Sequence, residues 1–570
     1  MNLKAFGDLR KYVPIANWLP KYQRGLLQAD LISGVTVWGV IAPTAMAFSG
    51  LAGLPPQAGL YAAFAGLIVY ALFSTSRHIK VTASSTVAIM SAAIVADLGS
   101  GGSVARYAAL SAMLALTVGG IILLAGIVRL GFLSDFLSKP VITGFLFGVA
   151  LDIIVGQAPK LFGIPSGTGN LFEKTAQLIL GLGGTNLWTL GIGLSSLLLI
   201  LILKRYFSRI PAALVALVLG ILVTSIFKLN ERGVSVVGTI PLGLPTPAIP
   251  AVSISDLAVL IAGAGGIVFL AVGETIGAAR GFAARNHYDI NPDQELIALG
   301  MANLTAGLFQ GFTVDVSTSA TTTGEQAGAK TQFSSIISSL LILATLAFLA
   351  PFFATLPNAV LASIVIAAVS GLLDVNALKR FYIEFRRDFL VALIALIGVI
   401  TVDLVSGLLI AVFLSVVLVV YAASRPHLAV LGMVPDQPNN YSDFAHHPEV
   451  KVIPGLLILR IDAPLFFANA NIARSQVLNA IATSSPPPKA VLFDVSATSM
   501  LDVTSLDMLE RLFSDLETAK IEFLLAHVRA PVLQKLRLSG LIDRIGENHI
   551  YLSVDSGVQH FLSHDAGNGN

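Results

Sequence analysis

Hydrophobic residues along this chain come in long runs rather than in the alternation or the one-sided stripe of soluble elements. Apolar stretches recur at 31–50, 58–73, 83–97, 107–128, 140–157, 187–203, 211–227, 257–279, 293–311, 316–326, 332–350, 358–373, 388–403 and 404–424. Such runs predict helices apolar on every side, about fourteen of them, several shorter than the roughly 20 residues of a full bilayer crossing. The continuous run 389–423 is divided at Asp403 and Gly407. From about 425 the texture changes. "VIPGLLILRIDAPLFFANA" (452–470) predicts two short strands, "IARSQVLNAIATSS" a helix, "KAVLFDVSATS" a strand and turn, "SLDMLERLFSDLETAK" a helix, "IEFLLAHV" a strand and "APVLQKLRLSGL" a helix. Strands alternating with helices predict a small soluble α/β domain. The expected organisation is an N-terminal segment 1–30, a membrane domain 31–424, an α/β domain 425–563 and a disordered tail 564–570.

Composition agrees. The 570 residues are 55% hydrophobic and 12% charged, with a mean hydropathy of +0.81, where soluble domains carry about 25% charge. This is a polytopic membrane protein. A net charge of +2 and the lack of a long basic run point away from nucleic acid. Zero cysteines exclude disulfides and thiolate chemistry. The first thirty residues contain no apolar core of a cleaved signal.

The charges also order the spans. With a cytoplasmic N-terminus and alternating spans, nineteen Lys and Arg fall inside, among them Lys80, Lys204, Arg205, Arg280 and Arg285, against five outside, Arg106, Lys160, Lys174, Lys228 and Arg232. This bias favours an even span count with both termini cytoplasmic. The expected home is a bacterial inner or plasma membrane.

Polar islands inside apolar runs carry the candidate chemistry. "VTASSTVAIM" (81–90) and "VSTSATTTG" (316–324) open the third and tenth spans, half a chain apart. Two halves of about seven spans suggest an inverted repeat, whose substrate site lies where broken helices meet. Broken helix starts aim backbone N–H groups and a positive dipole end at an anion, and Ser and Thr add donors without charge. The alternative is that these hydroxyls bond to their own helix or glue helices together. Glu274, in "IVFLAVGETIGAARG", lies on the order of 9 Å along the helix from Arg280. An acid at that depth can take up a proton or hold Na⁺, or it can snorkel to an inside arginine. Asp152 is a second intramembrane acid, near Gln157, and Asp315 is placed to cap the tenth half-helix.

Beyond these patterns, "IAPTAMAFSGLAGLPPQAGLYAAFAGLIVYALFSTSRHIKV" (41–81), "NPDQELIALGMANLTAGLFQGF" (291–312) and "QAGAKTQ" (326–332) resemble, in order and distance, the motifs of the sulfate permease (SulP) family. The C-terminal region, with "FDVSATSMLDVTSLDML", resembles the STAS domain that follows in that family. The resemblance implies a polytopic α-helical fold of fourteen spans in a 7+7 inverted repeat. It further implies core and gate domains, an elevator-like movement, a homodimer and a small cytoplasmic α/β STAS domain. Carried onto this chain, the anion site takes Thr44 and Phe48 of span 1, Thr82, Ala83, Ser84 and Ser85 at the start of span 3, and Ser317, Thr318, Ser319, Ala320 and Thr321 at the start of span 10. Glu274 takes the cation-coupling position.

The chain departs from the family at telling places. Thr44 replaces the usual Gln, Phe48 the usual Tyr, Ala83 the usual Pro and Ala320 the usual Arg. Without a guanidinium, the anion rests on dipoles, amides and hydroxyls, so sulfate, bicarbonate and a dicarboxylate such as fumarate are all open. Without the proline, Thr82 and Ser84 are left to cap the first turn of span 3.

Three functions fit: an anion transporter coupled to H⁺ or Na⁺, an uncoupled exchanger or channel, and a scaffold or sensor acting through its STAS domain. A nucleobase carrier fits the architecture but not the motifs. Asp494, Ser496, Asp502, Thr504 and Ser505 lie at the STAS hallmark loop, where a regulatory partner would bind, although helix capping explains them as well. "HH" at 446–447 sits in a polar linker, as a surface pair would. No enzyme, cofactor, redox or metal motif is present in the sequence.

Overall fold

The computed structural model describes residues 13–567 apart from 100–102, 133–137, 168, 208–209, 240–242, 244–245, 403, 436 and 438. It divides into a unit up to Ser415 and a second from Val416. Each of the fourteen apolar stretches carries a helix: α1 Leu27–Leu51, α2 Pro56–Phe73, α3 Ser85–Gly99, α4 Val104–Ile127, α5 Lys139–Phe162, α6 Leu187–Tyr206, α7 Ala212–Phe227, α8 Ile254–Arg285, α9 Pro292–Leu308, α10 Thr318–Gln326, α11 Phe333–Ala344, α12 Asn358–Val369, α13 Arg386–Thr401 and α14 Leu404–Ala423. Among the described residues, eight helices are long and apolar enough to cross a membrane. Asp403, at the expected division of the last run, lies outside the described residues, and helices stand on both sides of it.

Packing follows a repeat of seven. α4 packs on α9 as α11 packs on α2, α1 on α11 as α8 on α4, and α5 on α13 as α12 on α6. Two bundles result, one of α1–α4 with α8–α11 and one of α5–α7 with α12–α14. Glycine permits the close approaches. A Cβ on Gly66 of α2 would stand 2.8 Å from the Val81 carbonyl oxygen, so only a bare backbone lets α2 lie against the chain entering span 3.

Spans 3 and 10 begin as strands. β1 (Val81–Thr82) pairs antiparallel with β2 (Asp315–Val316), Val81 opposite Val316 and Thr82 opposite Asp315. The Ser317 N–H donates to the Lys80 carbonyl at 2.9 Å, and the Lys80 N–H to Thr321 Oγ1 at 3.0 Å. The break in span 3 therefore forms without a proline at Ala83, because backbone groups too far from any helix turn find partners in the opposite half. Capping by Thr82 and Ser84 side chains does not occur. The Ser84 carbonyl accepts from Ala88 N–H at 3.2 Å, while Thr82 Oγ1 and Ser84 Oγ are sealed inside.

The second unit is a six-stranded sheet in the order β4-β3-β5-β6-β7-β8. Its strands are β3 Leu428–Met433, β4 Tyr441–Asp443, β5 Leu456–Ile461, β6 Ala490–Asp494, β7 Glu522–Ala526 and β8 Ile550–Tyr551. β5 to β8 run parallel and β3 antiparallel to its neighbours. Side chains alternate across β6: Val491 and Phe493 join the core under α15 (Ala470–Thr483) and α16 (Val503–Thr518), while Ala490 and Leu492 join Phe561 of α17 (Val554–Gly567) on the other face. Two expectations fail here. Residues 452–470 hold one strand, not two, because "APLFF" turns at Pro464, with Phe466 N–H on Asn469 Oδ1. α17 also runs into the stretch expected to be a disordered tail; 568–570 lie outside the described residues.

Candidate functional site

One strand pair joins the two hydroxyl clusters. Thr82 stands opposite Asp315 and Val81 opposite Val316 in an antiparallel ladder, so α3, from Ser85, and α10, from Thr318, leave it at opposite ends. Ser317 is the N-cap of α10, its Oγ accepting from Ala320 N–H at 3.3 Å. Ser85 opens α3, and Thr321 is occupied by the Lys80 N–H. Ala320, where a family arginine is missing, is wholly buried, and Thr318 and Ser319 are exposed.

A cavity of about 310 Å³ opens beside the second cluster, lined by Thr44, Lys204, Ser319, Thr323 and Gln326 among others. Thr44 Oγ1 bonds back to the carbonyls of Val40 and Ile41, at 2.8 and 3.2 Å, in the turn before Pro43. Phe48 is buried in the surrounding core. The cation is Lys204, in the last turn of α6, whose Nζ donates to the Ala367 carbonyl at 2.6 Å. In the sequence Lys204 reads as a loop charge, and Thr323 and Gln326 are not among the expected site residues. The signal was available, since Thr323 and Gln326 lie one and two turns beyond Ser319 on the same helix.

Glu274 of α8 and Asp315 of β2 face one another, and Ser84 Oγ approaches Asp315. Glu274 Oε1, both Asp315 oxygens and Ser84 Oγ are sealed inside without a hydrogen bond of good geometry. Two carboxyls at such range share a proton or bracket a cation. Asp315 is therefore not the cap of α10, a role that belongs to Ser317, because its backbone is committed to the pair with Thr82.

Other polar groups are structural. Lys80, expected in an inside loop, is fully buried, its Nζ donating to Ser334 and Ser335 Oγ at 2.7 and 2.8 Å. Asp152 pairs with Lys174 Nζ at 2.8 Å, and Gln157 is buried on the same helix. In the second unit, Asp502 caps α16 on Ser505 N–H at 2.8 Å and accepts Phe467 N–H at 2.6 Å. Asp494 accepts from Ser496 N–H and meets His527 Nδ1 at 3.0 Å. Capping thus accounts for Asp502, and a turn at the end of β6 for Asp494 and Ser496. His446 meets Asp443, and His447 meets Glu449.

An integral membrane fold with paired half-helix starts and a trailing sheet domain defines a class of membrane carrier. Residues 27–395 match the sulfate permease family and 447–557 the STAS domain, and the chain belongs to that family. A probable sulfate transporter of Mycobacterium tuberculosis (strain ATCC 25618 / H37Rv) is 35% identical over 552 residues, spanning 96% of this chain and 98% of its own. Sulfate transporter 1.3 of Arabidopsis thaliana is 30% identical, over 96% of this chain and 87% of its own. In fold, the chain is similar to the murine Solute Carrier 26 family member A9 anion transporter in the inward-facing state, with a TM-score of 0.90 at 24% identity over 99% of this chain and 95% of that one. The transmembrane domain of a cyanobacterium bicarbonate transporter, BicA, aligns with a TM-score of 0.60 at 23% identity, over 70% of this chain and 98% of its own.

Proposed function

We propose that the chain is a secondary active transporter of sulfate or a related small oxyanion or carboxylate, coupled to H⁺ or Na⁺. It works by elevator-like alternating access, with the anion held between the half-helices that begin at Ser85 and Thr318. The observation that carries this reading is the β1–β2 pair, which joins helix starts from both halves next to a cavity lined by Lys204, Thr44 and Ser319. Lys204 supplies the charge that Ala320 lacks, and the hydroxyls supply donors. The relatives in Mycobacterium tuberculosis and Arabidopsis thaliana are named for sulfate, which supports sulfate as the first anion to test.

Glu274 takes the coupling cation, with Asp315 as its partner across the short gap between them. The protein acts as a homodimer in a bacterial inner or plasma membrane with both termini cytoplasmic, as the inward bias of basic residues supports. The STAS unit serves as the docking place of a regulatory partner.

Uptake of radiolabelled sulfate, bicarbonate and fumarate into proteoliposomes, with and without imposed H⁺ and Na⁺ gradients, tests the reading. Gradient-driven uptake of one anion that collapses in Glu274→Gln is expected. Uptake indifferent to every gradient and to the substitution would instead mark an exchanger or channel, and no uptake of any anion a scaffold.

A further inference from the structure

Three side chains from separate elements of the second unit converge where the sheet ends: Glu522, first residue of β7, His549, just before β8, and His560 on α17. His549 Nε2 stands 3.0 Å from Glu522 Oε1, His560 Nε2 stands 3.9 Å from the same oxygen, and one ligand atom of each lies within 4.8 Å of the others. The longer separation is too great for a hydrogen bond. At a tetrahedral centre two bonds of about 2.0–2.2 Å put the ligand atoms roughly 3.3–3.6 Å apart, a spacing that the 3.0 and 3.9 Å separations bracket.

The imidazoles are already oriented. His549 Nδ1 meets the Ile545 carbonyl oxygen at 2.5 Å. A carbonyl only accepts, so Nδ1 carries a proton, and Nε2 is left facing Glu522 as the nitrogen that gives up its own proton to an incoming metal; outer bonds of this kind fix the tautomer of metal-ligating histidines. His564, one turn beyond His560, is held the same way, its Nδ1 3.0 Å from the His560 carbonyl oxygen and its ring 4.1 Å from the His560 ring. Tyr551 packs on the ring of His560 at 5.4 Å. The three groups are part-buried rather than splayed into solvent, with side-chain exposures of 32% for His549, 38% for Glu522 and 21% for His560.

Another histidine group in this unit differs. His427 and His446 each sit at hydrogen-bond distance, 2.8 and 2.9 Å, from one oxygen of Asp443, and their side chains are 51% and 72% exposed. Those two rings lie much more open to solvent than His549 and His560.

We propose that Glu522, His549 and His560 form a divalent transition-metal site, with Zn²⁺ the fitting ion and a fourth position left to His564 or water. Two imidazoles and one carboxylate suit zinc and its neighbours, whereas Ca²⁺ and Mg²⁺ call for oxygen ligands. An ion there ties α17 to the edge of the sheet at β7 and β8, so metal supply bears on the order of the C-terminal helix.

The test uses the full-length, tag-free chain in detergent, stripped with EDTA and titrated with Co²⁺ alone. The wild type is expected to bind one cobalt that gives the visible bands of low-coordinate Co²⁺ and is displaced by Zn²⁺. His560→Gln and Glu522→Gln are expected to weaken binding at least about tenfold, while His427→Gln leaves it unchanged. Melting of each variant in EDTA, matched to wild type, shows that the fold is intact. A wild type that takes up no cobalt, or cobalt bound as tightly by His560→Gln and lost only in His427→Gln, overturns the proposal.

Discussion

Thr82 and Asp315 stand opposite one another in a two-residue antiparallel ladder, although they belong to different halves of the membrane unit. Each half-helix start is thereby positioned by the other half. The Gly66 backbone against the Val81 carbonyl keeps β1 in place. Gly66→Val puts bulk at a separation of 2.8 Å from backbone and is expected to cost about 1–3 kcal/mol by overpacking. It should lower thermal stability and anion affinity together. A variant that melts like wild type and transports with unchanged KM would show that β1 does not depend on this contact.

Lys204 should matter through its charge. Lys204→Ala is expected to raise KM for sulfate roughly 10- to 100-fold, the range of a lost charge-assisted hydrogen bond of about 1.5–3 kcal/mol, and Lys204→Arg to recover part of the loss. Ser319→Ala, which removes one neutral donor from the same cavity, should cost less, about 0.5–1.5 kcal/mol. Initial rates over a series of sulfate concentrations distinguish these cases. Equal effects of both substitutions would argue that the lysine acts by packing alone.

Glu274 and Asp315 form one unit, so their substitutions should not add. Glu274→Gln and Asp315→Asn are each expected to abolish stimulation by a cation gradient, and the double variant should behave like either single one. Counterflow, which needs no net driving force, reports whether the substrate path survives. Coupling retained in Asp315→Asn but lost in Glu274→Gln would assign the cation to Glu274 alone.

In the second unit, Asp443 provides a pH dependence. Burial pushes its carboxyl up, yet bonds from His427, the Ala445 N–H and His446 prevail and hold it down at about 2. The same carboxyl in an unfolded chain titrates near 3.9, so the stability it contributes is fully present above roughly pH 4 and is lost as pH falls through about 2. Pepsin cleavage between β3 and β4 of the full chain should therefore rise in wild type over that interval. Asp443→Asn should be cut more readily at about pH 4 and respond less to further acid; an unchanged acid response in the variant would remove Asp443 as the cause.

The fourteen helices, the two breaks and the sheet domain were legible because long apolar runs and β-branched clusters have few structural alternatives. The partners of single polar residues were not. Lys80 reads as a loop charge because it follows "TSRHI", yet it is sealed among serines of α11, which no local pattern announces. Asp315 reads as a helix cap because it lies just ahead of α10, but pairing with Thr82 and proximity to Glu274 are long-range facts. Lys204 stood in the basic end of span 6, and only packing of α6 beside α12 turns its stem into the cavity. Conversely, the resemblance to a family with an arginine at Ala320 pointed to a charge deficit, and the lysine proposed to meet it comes from a different helix.

That change of address has a kinetic side. The hydroxyls of Thr44, Ser319 and Thr323 ride on one bundle, whereas the ammonium of Lys204 rides on the other. An arginine at position 320 would accompany the cargo throughout its passage; in the proposed transport cycle a lysine on the opposing wall would greet it at one station only. Under the proposed elevator movement, a slide of a single helical turn, about 5.4 Å, would draw charge and hydroxyls apart, so the site would hold its anion unequally on the two sides while the gradients alone still set the direction of net flux.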